Sequence, residues 1–227
     1  MSSLKVWIAV GCMPLMLSAC DSRNAKIQDI DRLPSGLLIE PAPLLGTEPT
    51  TPLRPVVAKG IALTKSSEGW VDQRYNDAVG YCTIGYGHLI KKARCDGTEP
   101  AQFLQKISDA QGTILLVDDM RRAQITVITV VTVPLTDLQY AALADFVFNV
   151  GANNFKTSSL LRVINEQHFE QVPYQLGRWK MAGGKVLPGL ELRRQGEIDL
   201  FFEGQTVPKG MLHSGTADAI DIRTGEQ

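Results

Sequence analysis

The chain has 227 residues, with 23 Lys and Arg against 24 Asp and Glu, a formal net charge of −1 and 44% hydrophobic residues. That length accommodates one ordinary domain with extensions, and the composition fits a globular core. So even a charge balance builds no field for nucleic acid, and none is expected as a partner. The chain opens with a single positive charge, Lys5, followed by an apolar run from Val6 to Leu17 and then Ser18-Ala19-Cys20. One cation, a short apolar stretch and small residues before a cut site describe a secretory signal over residues 1–20. Gly11 and Pro14 break the run and Asp21 ends it, which leaves it short for a membrane span.

Leu17-Ser18-Ala19-Cys20 resembles a bacterial lipobox. The resemblance implies export, lipidation of Cys20 and a membrane partner through that lipid, with Asp21 favouring retention on an inner membrane. A signal-arrest-release anchor and an ordinary cleaved signal are the alternatives. Cys12 then leaves with the signal and Cys20 takes lipid, so Cys82 and Cys95 remain. An even pair in an oxidising compartment predicts a Cys82–Cys95 disulfide, with two free thiols as the other reading.

Residues 21–56 contain Pro34, Pro41, Pro43, Pro49, Pro52 and Pro55 and no apolar period. This reads as a semi-extended linker, reaching on the order of 100 Å from an anchor. The folded domain is expected over residues 57–204. Residues 58–67 read as a helix ended by Glu68-Gly69. Residues 81–86 alternate as a strand between Gly80, Gly85 and Gly87. Residues 101–107 and 118–128 read as helices, although β-branched residues fill 125–133 and propensity alone gives a strand there. Thr136 and Gln139 have capping-box spacing and open a helix to Asn149. Residues 158–165 form another, and residues 178–181 and 190–202 flank a turn from Gly183-Gly184 to Gly189. Residues 205–227 read as a polar, frayed tail. His88, His168 and His213 lie far apart, no metal-ligand spacing occurs, and neither metal nor cofactor is expected.

The chemistry concentrates in residues 68–88. Glycoside hydrolysis needs one carboxylic acid to protonate the leaving oxygen and a second group to handle water. Glu68 at a helix C-terminus meets the negative end of the macrodipole, and partial burial acts in the same direction; both favour the protonated acid that such a role requires. Asp77 before the turn and Thr83 on the returning strand can face one cleft and hold a water between them. The structural alternatives are a helix-end Glu, a turn-capping Asp and a Thr present for β propensity.

Glu68, Asp77, Thr83 and the run Thr83-Ile-Gly-Tyr-Gly-His88 closely resemble the active-site segment of phage-type (T4 and lambdoid) lysozymes. Phe148-Asn-Val-Gly151, Ser158-Ser-Leu-Leu161, Gly183-Gly184 to Leu190 and Arg193-Arg194 match the lambdoid branch, so that the likeness covers about 57–203. It implies an α+β fold with a small β-hairpin lobe, a mainly helical lobe and a cleft between them, and a helix rather than a strand before Pro134. It implies a monomeric muramidase acting on peptidoglycan glycan strands, with Glu68 as acid, Asp77 and Thr83 as the water-handling pair, and Leu89, Phe148 and Asn149 lining the cleft. His88 is expected to tie hairpin to body, Arg193 and Arg194 to pair with acids or a helix end, and Trp70 and Trp179 to sit in the core. Ser67 departs from the family, where an aromatic residue often precedes the acid. A tethered peptidoglycan-binding module, a toxin and a wall-remodelling enzyme are other uses of such a fold.

Overall fold

The computed structural model describes residues 53–208 and 218–226, together with the backbone of Leu38–Ile39. The signal, Cys20 and most of the 21–56 segment lie outside the described residues. Among the described residues, no helix is long and apolar enough to cross a membrane.

Strand β1 (Leu38–Ile39) pairs antiparallel with β2 (Val56–Val57), which leads directly into α1 (Ala58–Glu68). A three-stranded antiparallel sheet follows: β3 (Val71–Asn76), β4 (Cys82–Gly85) and β5 (His88–Lys91), with β4 central. Helices α2 (Asp109–Asp119), α3 (Arg121–Val130), α4 (Asp137–Val150), α5 (Ala152–Lys156), α6 (Ser159–Asn165) and α7 (Val172–Gly177) come next. A short hairpin, β6 (Met181–Ala182) and β7 (Lys185–Val186), precedes α8 (Pro188–Phe201). This is the α+β, lysozyme-like arrangement implied by the resemblance.

α4 is the axis of the helical lobe because its sequence is apolar on nearly every side. Tyr140, Ala141, Leu143, Ala144, Phe146 and Val147 are all buried, and α1, α3 and α8 pack around them. Burial of a residue such as Leu143 or Phe146 contributes about 1.5–3 kcal/mol. The capping box is present as expected, with Thr136 Oγ1 accepting from Gln139 N and Gln139 Oε1 accepting from Thr136 N. α1 approaches α4 closely at Gly60, where a Cβ would lie 2.6 Å from that of Ala141. The hairpin lobe has its own small core of Ile84, Phe103 and Ile107. α2 bridges the lobes, packing on β4 and β5 at one side and on α1 and α3 at the other.

The structure differs from the sequence expectations in four places. Residues 101–107 hold only a single 3-10 turn (Ala101–Phe103), and the helix begins later, at Asp109, where Ser108 and Gln111 form a capping box. The helix expected over 118–128 is divided at Met120 between α2 and α3. Gly183 and Gly184, at φ 61° and 74°, close a true β-hairpin rather than an open turn, and Pro188 then starts α8. Finally, residues 218–226 are not frayed. Ile220 is buried, Asp221 pairs with Met181, and Asn154 donates to the Ile222 carbonyl at 2.8 Å.

The β-branched segment is helical through Val130 and turns extended at Val131, before Pro134. Tertiary contact overrides propensity here. Val127 and Ala123 are buried against the core, while Thr126 and Thr129 return their hydroxyls to carbonyls four residues back.

Candidate active site

The hairpin places Asp77 and Thr83. Asp77 Oδ1 accepts from Val79 N at 3.0 Å and Tyr81 N at 2.8 Å, while Gly80, at φ 88°, completes the turn by donating to the Asp77 carbonyl. The turn-capping role is therefore real, and because both bonds fall on Oδ1, Oδ2 retains its acceptor capacity. Thr83 lies on central β4, opposite Tyr75 on β3 and Leu89 on β5. It is only 4% exposed, and its hydroxyl makes a long 3.4 Å contact to the Tyr75 carbonyl. β3 bulges between Val71 and Tyr75, spending four steps where β4 spends two. A bulge re-aims the side chains that follow it, here those leading to Asp77.

The expected disulfide is present, with S–S 2.05 Å between Cys82 and Cys95. Cys82 precedes Thr83, and Cys95 N donates to Asn76 Oδ1 at 2.8 Å, immediately before Asp77. Cys95 thus grips both strands of the hairpin beside the candidate pair. The loop carrying it is clamped in turn by the buried Glu99 carboxylate, which accepts from the amides of Asp96 and Gly97 and pairs with Lys91 at 2.8 Å and Arg74 at 3.1 Å. The Lys91 ammonium and these amides hold the Glu99 carboxyl down at about 2. Cys82, Cys95 and Glu99 lie close enough together to hold an ion, but the two sulfurs are bonded to each other and offer no thiolate.

Glu68 is the last residue of α1, followed by Gly69 at φ 75°. Its side chain is 27% exposed, and Arg193 Nη1 donates to Oε1 at 2.6 Å. Ser67 is exposed and bonds back to the Leu63 carbonyl, giving Glu68 no apolar backing from that position. Behind Glu68 lies a buried polar network. Asp145 takes both remaining faces of Arg193, from Nε at 3.0 Å and Nη2 at 2.9 Å. Burial would push the Asp145 carboxyl up, but the Arg193 guanidinium outweighs it and the shift is downward. Burial acts against the Arg193 charge as well, and Asp145 raises it in compensation. Arg194 donates to the Trp179 carbonyl, to Asn149 Oδ1 and to Glu197 Oε1.

Arg193 and Arg194 pair with acids as expected. Asp145 and Glu197 escaped the sequence reading. Their signals were a lone carboxylate inside the apolar run of α4 and a Glu three and four residues beyond two arginines.

The three residues expected to line the glycan cleft are not all alike. Leu89 is exposed, across from Thr83. Phe148 is half-buried against the main core and also lines a pocket of about 540 Å³ with Asp119, Arg122, Asn154 and Arg223. That pocket includes none of Glu68, Asp77, Thr83 or Leu89. Asn149 turns its carbonyl oxygen to Arg194. His88 ties hairpin to body as expected, with Nδ1 2.9 Å from Asp119 Oδ2. Trp179 is fully buried, but Trp70 is 37% exposed and packs on Tyr86 at 4.9 Å and over Gly112. Two residues from Glu68, it covers the seam between lobes instead of filling a core.

Residues 65–197 match the phage lysozyme family. An endolysin of Bacillus phage B103 is 35% identical over 149 residues, covering 65% of this chain and 54% of that protein, so the chain spans about half its length. A SAR-endolysin of bacteriophage PS119 is 36% identical, covering 61% of this chain and 78% of that one. Among solved structures, the muramidase domain of SpmX from Asticaccaulis excentricus is similar at TM-score 0.56 and 30% identity, over 64% of this chain and 96% of that domain. A point mutant of P22 lysozyme is similar at TM-score 0.56 and 31% identity, over 63% and 95%. With the family match, the two-lobed fold and the hairpin geometry in agreement, the chain belongs to the phage lysozyme family.

Proposed function

We propose that the chain is a muramidase, hydrolysing the β-1,4 bond between N-acetylmuramic acid and N-acetylglucosamine in peptidoglycan. The observation that carries this reading is the conjunction of Glu68 at the end of α1 with Asp77, in the turn directly after β3, and Thr83 on β4 of the same hairpin. Glu68 donates its proton to the leaving glycosidic oxygen. Asp77 and the Thr83 hydroxyl hold a water on the opposite face of the sugar. As the C1–O bond breaks, the water oxygen bonds to C1 and its proton passes to Asp77. Attack from the opposite face inverts the anomeric carbon. Leu89 offers apolar surface for a sugar ring, and Asn149 anchors the end of α4 through Arg194.

The N-terminal sequence supports export, with Cys20 as the lipid attachment and residues 21–56 as the tether. Relatives named SAR-endolysin support action on the outer side of the cytoplasmic membrane. Proton NMR of freshly cleaved glycan tests the chemistry. The reading predicts muramic acid reducing ends that appear first as the α anomer. Initial β anomer, or 1,6-anhydro ends, would contradict it.

A further inference from the structure

Three carboxyls and two guanidiniums form one connected group behind the cleft. α1 contributes Glu68 and the hydroxyl of Thr64, and α4 contributes Asp145 and Asn149. The Trp179 carbonyl precedes β6, and α8 contributes Arg193, Arg194 and Glu197. The side chains of Asp145 and Glu197 have no exposed surface. Full ionisation of all three acids would leave three negative charges against two positive ones. An uncompensated charge at full burial is strongly disfavoured.

The hydrogen bonds locate the surplus. Both Asp145 oxygens accept from Arg193, and Glu197 Oε1 accepts from Arg194 at 2.6 Å. Glu197 Oε2 is buried without a donor among the described residues, while its carboxyl stands within hydrogen-bond reach of Asp145. Two facing carboxylates repel, whereas one carboxylic acid donating to one carboxylate satisfies both. We propose that Glu197 is a positioning residue of the glycosidase site, acting as a neutral acid whose Oε2–H donates to Asp145 and so keeps Arg193 clamped between Asp145 and Glu68. The environments of the two acids agree with this division. Burial drives the Glu197 carboxyl well up, with Arg194 countering only in part, while Arg193 draws Asp145 down. Glu197 Oε1 already stands 3.8 Å from Arg193 Nε. Once ionised, Glu197 competes for Arg193 and slackens its hold on Glu68.

The proposal rests on the muramidase reading only for its catalytic consequence. The test compares full-length wild type, Glu197→Gln and Glu197→Ala. Gln retains the acceptor for Arg194 and the N–H for Asp145. Its kcat should stay within about twofold of wild type near neutrality. Ala should lower kcat roughly tenfold or more with little change in KM, because Glu68 loses its fixed position. Urea unfolding supplies a readout independent of activity, and one that holds if the Ala variant fails to fold. An acid raised in the folded state gives wild type a stability that declines as pH climbs above its unfolded value of 4.5. The Gln variant should lack that decline. Parallel stability curves in wild type and Gln, or a folded Ala variant that keeps the wild-type kcat, would overturn the proposal. Absence of any product from wild type would instead overturn the muramidase reading, with the stability arm still deciding the state of Glu197.

Discussion

Arg193 spends all three of its nitrogens on two carboxylates, and this sets how Glu68 is presented to the cleft. Asp145→Asn should therefore be severe. It leaves a buried guanidinium with one partner fewer, a class of change that costs about 3–5 kcal/mol. Urea unfolding would show this as a lower midpoint, and a loss under about 1 kcal/mol would mean that Asp145 does not carry Arg193. At this scale the turn-capping place of Asp77, the strand position of Thr83 and the hairpin-to-body tie of His88 were legible locally, while the proposed catalytic roles of Glu68, Asp77 and Thr83 come from the family resemblance. Asp145 and Glu197 stayed hidden because their partnership joins helices 52 residues apart in the chain (197 less 145). Trp70 was misassigned because its neighbours, Tyr86 and Gly112, come from the sheet and from α2.

The hairpin and its loop behave as one stapled element. Cys82→Ser with Cys95→Ser reopens a loop of 13 residues in separation, for which chain entropy gives about 3 kcal/mol. Cleavage should fall as well, since the Cys95 amide that holds Asn76 is freed beside Asp77. Unchanged stability and rate in the double mutant would show that the staple is idle. The Glu99 clamp gives the same loop an acid limit. Its folded value of about 2 lies below the ordinary 4.5, so its stabilisation is present above 4.5 and lost as pH falls towards about 2. The Asp96 and Gly97 amide NMR shifts should move within that window, and movement confined to higher pH would contradict the clamp. Legibility among the elements followed local chemistry. α4 was announced by its capping box, whereas α2 was missed although Ser108 and Gln111 carry the same signal, because residues 101–107 drew the helix too early. The second half of α3 could be read only by likeness, as the β-branched residues from Ile125 argue for a strand and packing makes them helical.

For the whole molecule, the family match ends at residue 197, yet the chain returns to brace the helical lobe. Ile220 is buried, Arg178 donates to the Asp218 carbonyl, and Glu226 pairs with Arg178 while accepting from Ser159 N at 2.5 Å. Truncation after Pro208 should cost at least about 2 kcal/mol, roughly the burial of one aliphatic side chain, as measured by thermal or urea unfolding. An unchanged midpoint would show the segment to be dispensable. Polar composition concealed this strap, since two isoleucines among charged residues give no period. The two lobes were legible through the family resemblance, while the glycine-marked hairpin alone announced only its own turn. The most direct test of the account is muropeptide release from purified peptidoglycan by wild type and Glu68→Gln, with folding checked by circular dichroism. Reducing-end products are expected from wild type, and a loss of roughly a thousandfold or more in a folded mutant, since the proposed mechanism assigns the proton to Glu68. Comparable release by the mutant would remove Glu68 from the chemistry and the mechanism with it.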